Sequence, residues 1–182
     1  MKNSKYVLLL IGLFTIGIVS AQDSLNFHDS FYKKQQQSLL LLSSWSAANL
    51  VISPILSKKL YSSSTSNEYF HEMNFNWNLL NAGIVGLGHF LVHKDSKKPW
   101  DINGLLAKKK KTQTSLLINM GLDVAYIVSG LIIKNSKSNT SQNQGFGNSI
   151  MLQGGYLLLY DAIFLKKLKK IKLKSSSSIS QF

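Results

Sequence analysis

A chain of 182 residues has room for one domain of ordinary size, and 45% hydrophobic residues is too rich a content for a disordered chain. The net charge of +13 would ordinarily raise nucleic acid as a partner, but all 21 basic residues are lysine, and base-edge readout leans on the guanidinium fork of arginine. The absence of cysteine excludes a disulfide framework, thiolate metal sites, Cys nucleophiles and lipid attachment at a cysteine.

Where the lysines sit is more informative than their number. None falls in 35–57, 60–93, 112–133 or 138–165. A soluble helical domain scatters lysines along every outward face, whereas clusters confined to segment ends match membrane spans with snorkelling flanks. That distribution argues against nucleic acid and for lipid.

In chain order, residues 1–21 read as a signal peptide. Lys2 and Lys5 form the charged start, 6–18 the apolar core, and Val19, Ser20 and Ala21 the small-residue cleavage site. Residues 22–37 form a polar lead-in with Phe27 and Phe31 four apart. The first span covers 38–56, with Trp45 and Asn49 on one face and Pro54 placed to kink or end it. After a serine-rich connection, the second span covers 69–92 and pairs with the first as an antiparallel hairpin. Residues 94–111 read as a solvated basic loop with seven lysines and with Trp100 suited to an interface. The third span is 114–133, in which Asn119, Asp123, Tyr126 and Gly130 share a face. A connection over 134–148, with Gly145-Phe146-Gly147 as a flexible lead-in, precedes the fourth span at 149–165, which aligns Gln153, Tyr156 and Tyr160 and carries Asp161. The basic and Ser-rich tail, 166–182, begins with six lysines up to Lys174.

The second span organises the rest. At 100° per residue, His71, Asn74, Asn78, Asn81, Gly88 and His89 fall on one side of a helix and Leu80, Ile84, Leu87 and Leu91 on the other; Asn76 does not fit. The expected fold is all-α, a four-helix transmembrane bundle after an N-terminal signal peptide, with the membrane domain over 38–165. A soluble four-helix bundle is the rival, and it would expose the amide face and bury the apolar one. Ala82 with Gly86, and Gly121 with Ala125, have the small-residue spacing that lets helices approach. Orientation stays open, because a cleaved signal puts 15 lysines outside and four inside, the reverse of the positive-inside rule.

The ordered series Tyr69-Phe70-His71, Met73-Asn74, Trp77-Asn78, Asn81, Asn119, Gly121-Leu122-Asp123, Tyr126, Gly145-Phe146-Gly147, Ser149, Gln153-Gly154 and Asp161 resembles a family of small, uncharacterised bacterial membrane proteins with signals and four helices. The resemblance covers about residues 25–165. It implies the fold and little else, with no activity attached; a bacterial inner-membrane location after Sec-type targeting is what the signal and the spans lead one to expect.

Functionally, the candidate intramembrane polar core is Asn49, His71, Asn74, Asn78, Asn81, Asn119, Asp123, Tyr126, Gln153 and Asp161. An ionised carboxylate at mid-bilayer costs about 2.5–3.5 kcal/mol on insertion scales, so Asp123 and Asp161 should face the interior, on facing surfaces and one or two turns apart in height. They should share contacts through Asn78, Asn81 or Tyr126. One reading of the core is interhelical glue at about 0.6–2 kcal/mol per bond. It makes the protein a structural or partner-binding membrane subunit. The other is a small proton, cation or polar-solute module using both aspartates. No catalytic constellation, cofactor fingerprint or metal set appears, since His89 and His93 lack a third ligand and His71-Glu72 lacks the second histidine of a zinc-protease helix. The expected partners are anionic headgroups and a membrane-protein partner or second copy.

Overall fold

The computed structural model describes the backbone of residues 3–58, 60–138 and 140–172, and side chains among these from Ser24 onward. The described residues form four helices, α1 (Asn3–Ser57), α2 (Ser66–Ser96), α3 (Ile102–Lys134) and α4 (Ser141–Lys169). The side chains of the signal-peptide reading (1–21) and the structure of the tail from 173 lie outside the described residues.

Each junction has a local cause. Pro54 lies in the last turn of α1, which stops at Ser57, and Lys58 and Tyr61 take positive φ values of 58° and 65° in the turn that follows. Thr65 then caps α2 in a reciprocal box with Glu68. The backbone N–H groups of Ser64 and Thr65 hold the Glu68 carboxyl down at about 2. Asp101 caps α3 by accepting from the Gly104 N–H, and Thr140 caps α4 by accepting from the Asn143 N–H.

These caps overturn two of the expected connections. The basic loop over 94–111 is mostly helix: α2 runs to Ser96, α3 begins at Ile102, and only five residues intervene. Lysine, leucine and alanine are good helix formers, so a lysine cluster marks contact with water rather than a break in the helix. Likewise the 134–148 connection shrinks to 135–140, and Gly145-Phe146-Gly147 is part of α4 rather than a flexible lead-in. The polar lead-in, 22–37, is a continuation of α1, in which Phe27, Phe31 and Tyr32 are buried.

In the packing, α1 lies against α2, α2 against α4, and α4 against α3, while α1 and α3 barely meet. The two central helices run parallel, since Gly145 sits against Ser66 and Phe70, and Gln153 bonds Asn74. α3 and α4 approach through glycine. A Cβ on Gly147 would lie 2.5 Å from the Gly130 carbonyl oxygen, and one on Gly130 would lie 2.7 Å from that of Gly147. Gly86 and Gly121, by contrast, have nothing within 4 Å. The small-residue pairs expected from sequence therefore do not form the close crossing.

Core polarity inverts along the bundle axis. At the end formed by the start of α3 and the end of α4, the interior is apolar: Phe27, Phe31, Tyr32, Leu105, Leu116, Phe164, Leu165, Leu168 and Ile171 pack together, with Trp100 against them. Through the rest of the bundle the buried side chains are mainly polar, among them Ser46, Ser53, Asn74, Asn78, Asn81, Asp123, Ser149 and Gln153. Of the 25 exposed large apolar side chains among the described residues, all but Leu25, Tyr61 and Leu106 lie within 38–56, 69–92, 114–133 and 149–165. The amide face of α2 is inside and Leu80, Ile84, Leu87 and Leu91 are outside, the opposite of what a soluble bundle requires. By length and apolarity, α1 from Ser24 and α3 qualify to cross a membrane. These are the flanking helices, and the central pair is diluted by its amides and glycines.

Overpacking the glycine crossing is expected to be far more damaging than the same change at an open glycine. Gly147→Val should cost about 1–3 kcal/mol or prevent α3–α4 docking, while Gly86→Ala and Gly121→Ala should be neutral or stabilising by up to about 1 kcal/mol. Thermal unfolding of the purified variants in detergent measures the difference.

Candidate functional site

The polar core is a closed ring of side chains joining three helices. Trp45 Nε1 donates to Gln153 Oε1 at 3.0 Å, and Gln153 Nε2 donates to Asn74 Oδ1. Asn74 Nδ2 donates to Asn49 Oδ1 and, at 3.1 Å, to Ser53 Oγ. Asn49 Nδ2 then donates to the Trp45 carbonyl at 2.8 Å, which returns the circuit to its start. Trp45 also stacks on Tyr156 with centroids 3.9 Å apart. One turn further along α2, Asn78 Nδ2 donates to the Asn74 carbonyl. Toward the other end, Ser38 Oγ donates to Tyr160 Oη at 2.8 Å.

α1 contributes more than Asn49. Its residues 38, 42, 46, 49, 53 and 57 recur at spacings of four and three, and Ser38, Leu42, Ser46, Ser53 and Ser57 of these are buried. The serine stripe was visible as that periodicity. It escapes a reading based on amides and charges, because a lone serine in an apolar run is unremarkable.

The other expected core residues divide. His71, Asn78, Asn81, Asp123, Gln153 and Asp161 are buried. Tyr126 is half-buried, edge-on to Trp77 with centroids 4.9 Å apart, which links α3 to α2. Asn119 lies on the exposed surface beside Asp161 rather than inside. Asp123 and Asp161 are near enough to repel when both are ionised. Gly154, the α4 residue against the Asp123 backbone, lies about two turns from Asp161. Asn119 neighbours Asp161, and among the described residues no bond joins either aspartate to Asn78, Asn81 or Tyr126. His89 meets Ser43 at 3.1 Å rather than joining the core. Asp123 Oδ2, Asn78 Oδ1, Asn81 Nδ2, His71 Nδ1 and Ser149 Oγ are buried without a hydrogen-bond partner among the described residues.

A second cluster, which sequence reading missed, centres on Asp95 at the apolar-cored end. Its carboxylate pairs with Lys108, meets Lys98 at 3.4 Å and accepts from Tyr32 Oη at 2.8 Å. Trp100 donates through Nε1 to the Asp95 carbonyl, and the Lys108 ammonium lies 4.3 Å from the Trp100 ring centroid. Burial works against the Asp95 charge, but Lys108, Tyr32 and Lys98 together outweigh it and hold the carboxyl below its usual range. Burial, reinforced by Asp95, pushes the Tyr32 phenol up. Asp95 lies within the stretch 94–111, whose seven lysines read from sequence as a basic loop.

Residues 41–162 match a family of unknown function (DUF6992). The matched stretch covers the amide ring and both aspartates, and leaves Phe27, Phe31, Tyr32, Phe164 and Leu168 outside. Neither a curated protein nor a solved structure matches the chain.

Two outcomes are expected. Asn74→Ala removes the hub of the ring and strands Gln153, Asn49 and Ser53, at about 1–3 kcal/mol of stability. Because the Asp95 carboxyl is depressed in the folded state, its contribution is present above the unfolded carboxylate pKa of about 4 and is lost as pH falls through the lower folded value. Melting temperatures of the wild type and Asp95→Asn should therefore differ at pH 7 and converge in acid.

Proposed function

The chain belongs to that family of unknown function, and from there we propose that it is an integral membrane protein with a structural or partner-binding role, whose polar core ties α1, α2 and α4 together within the bilayer while α3 docks on α4 through glycine. The observation that carries this reading is the inverted polarity. Amides, serines and carboxyls fill the interior over the same lengths of helix that turn leucine, isoleucine and valine outward. Soluble monomers rarely expose apolar patches beyond a few hundred Å², and here such residues cover all four helices. In lipid the arrangement is favourable, because packing and interhelical hydrogen bonds take over from the hydrophobic effect in holding helices together.

Under this reading the bilayer covers the polar-cored length. The apolar-cored end projects into water as a cap, with lysines outside and phenylalanines inside, the ordinary polarity of a soluble fold. Sec-type targeting by residues 1–21 and residence in a bacterial inner membrane belong to the same proposal. A second reading, a proton- or cation-binding module, draws on one observation: Asp123 Oδ2 is buried without a hydrogen-bond partner among the described residues, and Asp161 is buried about two turns away on the facing helix.

The protein is expected to sediment with membranes and to resist carbonate extraction; release into the soluble fraction would refute membrane residence. Proteoliposomes carrying it should hold an imposed pH gradient as well as empty vesicles do. Leakage abolished by Asp123→Asn would put the second reading first.

A further inference from the structure

We propose that the cleft between α1, α2 and α3 at the base of the cap binds the phosphate-bearing headgroup of an anionic phospholipid, an inference that rests on the membrane placement above. The cleft has a volume of about 360 Å³ and is lined by Tyr32, Gln35, Leu91, Lys94, Lys98 and Lys108, among others. A neighbouring cleft of about 280 Å³ shares Gln35, Asp95 and Lys108 with it and adds Lys111, Thr112 and Ser115. Together they set four ammonium groups against one carboxylate, alongside the Ser115 hydroxyl and the Gln35 amide, which is the chemistry that recognises a phosphate diester.

Asp95 does not spoil the site for an anion. Its oxygens are already engaged by Lys98, Lys108 and Tyr32, so its charge is compensated and it fixes the Lys108 ammonium in place. Lys94 and Lys111 are exposed and have no carboxylate partner among the described residues, which leaves them available to a ligand.

The apolar wall selects lipid over a soluble phosphate. Leu91 lines the cleft and also ends the outward stripe of Ile84, Leu87 and Leu91 on α2. A headgroup seated on the lysines therefore has its acyl chains directed along a surface that already faces hydrocarbon. The opposite end of the bundle has Lys134 and Lys137 but no carboxylate-fixed lysine among its described residues.

The test uses the full chain in two steps. Flotation with vesicles of phosphatidylcholine alone reports membrane association by itself, and failure to float would overturn the placement on which the site rests. Native mass spectrometry of the detergent-purified protein, offered equimolar phosphatidylglycerol and phosphatidylcholine, then reports the site. The wild type is expected to retain phosphatidylglycerol preferentially. The double variant Lys94→Gln/Lys111→Gln should weaken that retention about tenfold or more, while Lys134→Gln/Lys137→Gln leaves it unchanged. Equal retention of the two lipids by a protein that floats would overturn the headgroup site alone, as would equal losses from both lysine pairs. Displacement of the lipid by millimolar glycerol phosphate would instead assign the cleft to a soluble phosphate ester and overturn the lipid.

Discussion

Asn74 is bonded to three other side chains from two neighbouring helices, and the fold depends on that concentration of hydrogen bonds in its interior. A buried amide is costly when unpaired and modestly favourable when paired, so Trp45, Asn49, Asn74 and Gln153 fix one relative position of α1, α2 and α4. An apolar seam tolerates sliding by a turn, but this ring does not, because a shift of α4 would break the bonds of Gln153 to Trp45 and Asn74 together. The glycines complete the constraint on the other flank. Gly130 and Gly147 bring α3 and α4 to near backbone contact, which sets the depth at which Asp123 sits opposite Gly154.

The cap follows a different rule. Phe31, Leu105 and Leu168 are almost fully buried there, and the lysines around them are turned outward. On the membrane reading proposed above, the two halves solve one packing problem in two solvents. The change of rule near Ser38, Leu91 and Leu116 would then mark the interface between those solvents more sharply than hydropathy does, since hydropathy averages over a helix such as α2 that carries both stripes. Within α1 and α4 the family match, 41–162, takes in only the polar-cored part, while it spans the whole of α2 and α3, Leu105 and Leu116 of the cap included.

Much of this was legible in the residues. The two stripes of α2 could be assigned because histidine and asparagine recur at helical spacing opposite leucine and isoleucine, and the structure has the polar stripe inside. The all-α class and the four helices followed from the same periodicity. What could not be read were features that depend on a partner's position. Gly121 has the same local pattern as a packing glycine, but only the neighbour's register decides that Gly130 makes the crossing and Gly121 faces outward. Asn119 shares a helical face with Asp123, yet α4 covers only part of that face. The lysines over 94–111 were read as a loop because charge signals water and says little about backbone conformation. Phe27 and Phe31 stood out as a pair without a visible partner, since Leu105 and Leu168 are distant in sequence.

The claim that polarity inversion marks the bilayer surface is tested most directly along α1, which runs through both halves in one helix. Single cysteines placed at Leu25, Lys33, Leu41, Ile52 and Ile55 in this cysteine-free chain can be spin-labelled, and the protein reconstituted into vesicles. Collision rates with oxygen, which partitions into lipid, and with a water-soluble nickel complex then report depth. Labels at 41, 52 and 55 should favour oxygen and those at 25 and 33 the nickel complex, with the change near Ser38. Uniform access of the nickel complex to all five positions would contradict the account, and would mean that the apolar faces are covered by protein in water rather than by lipid.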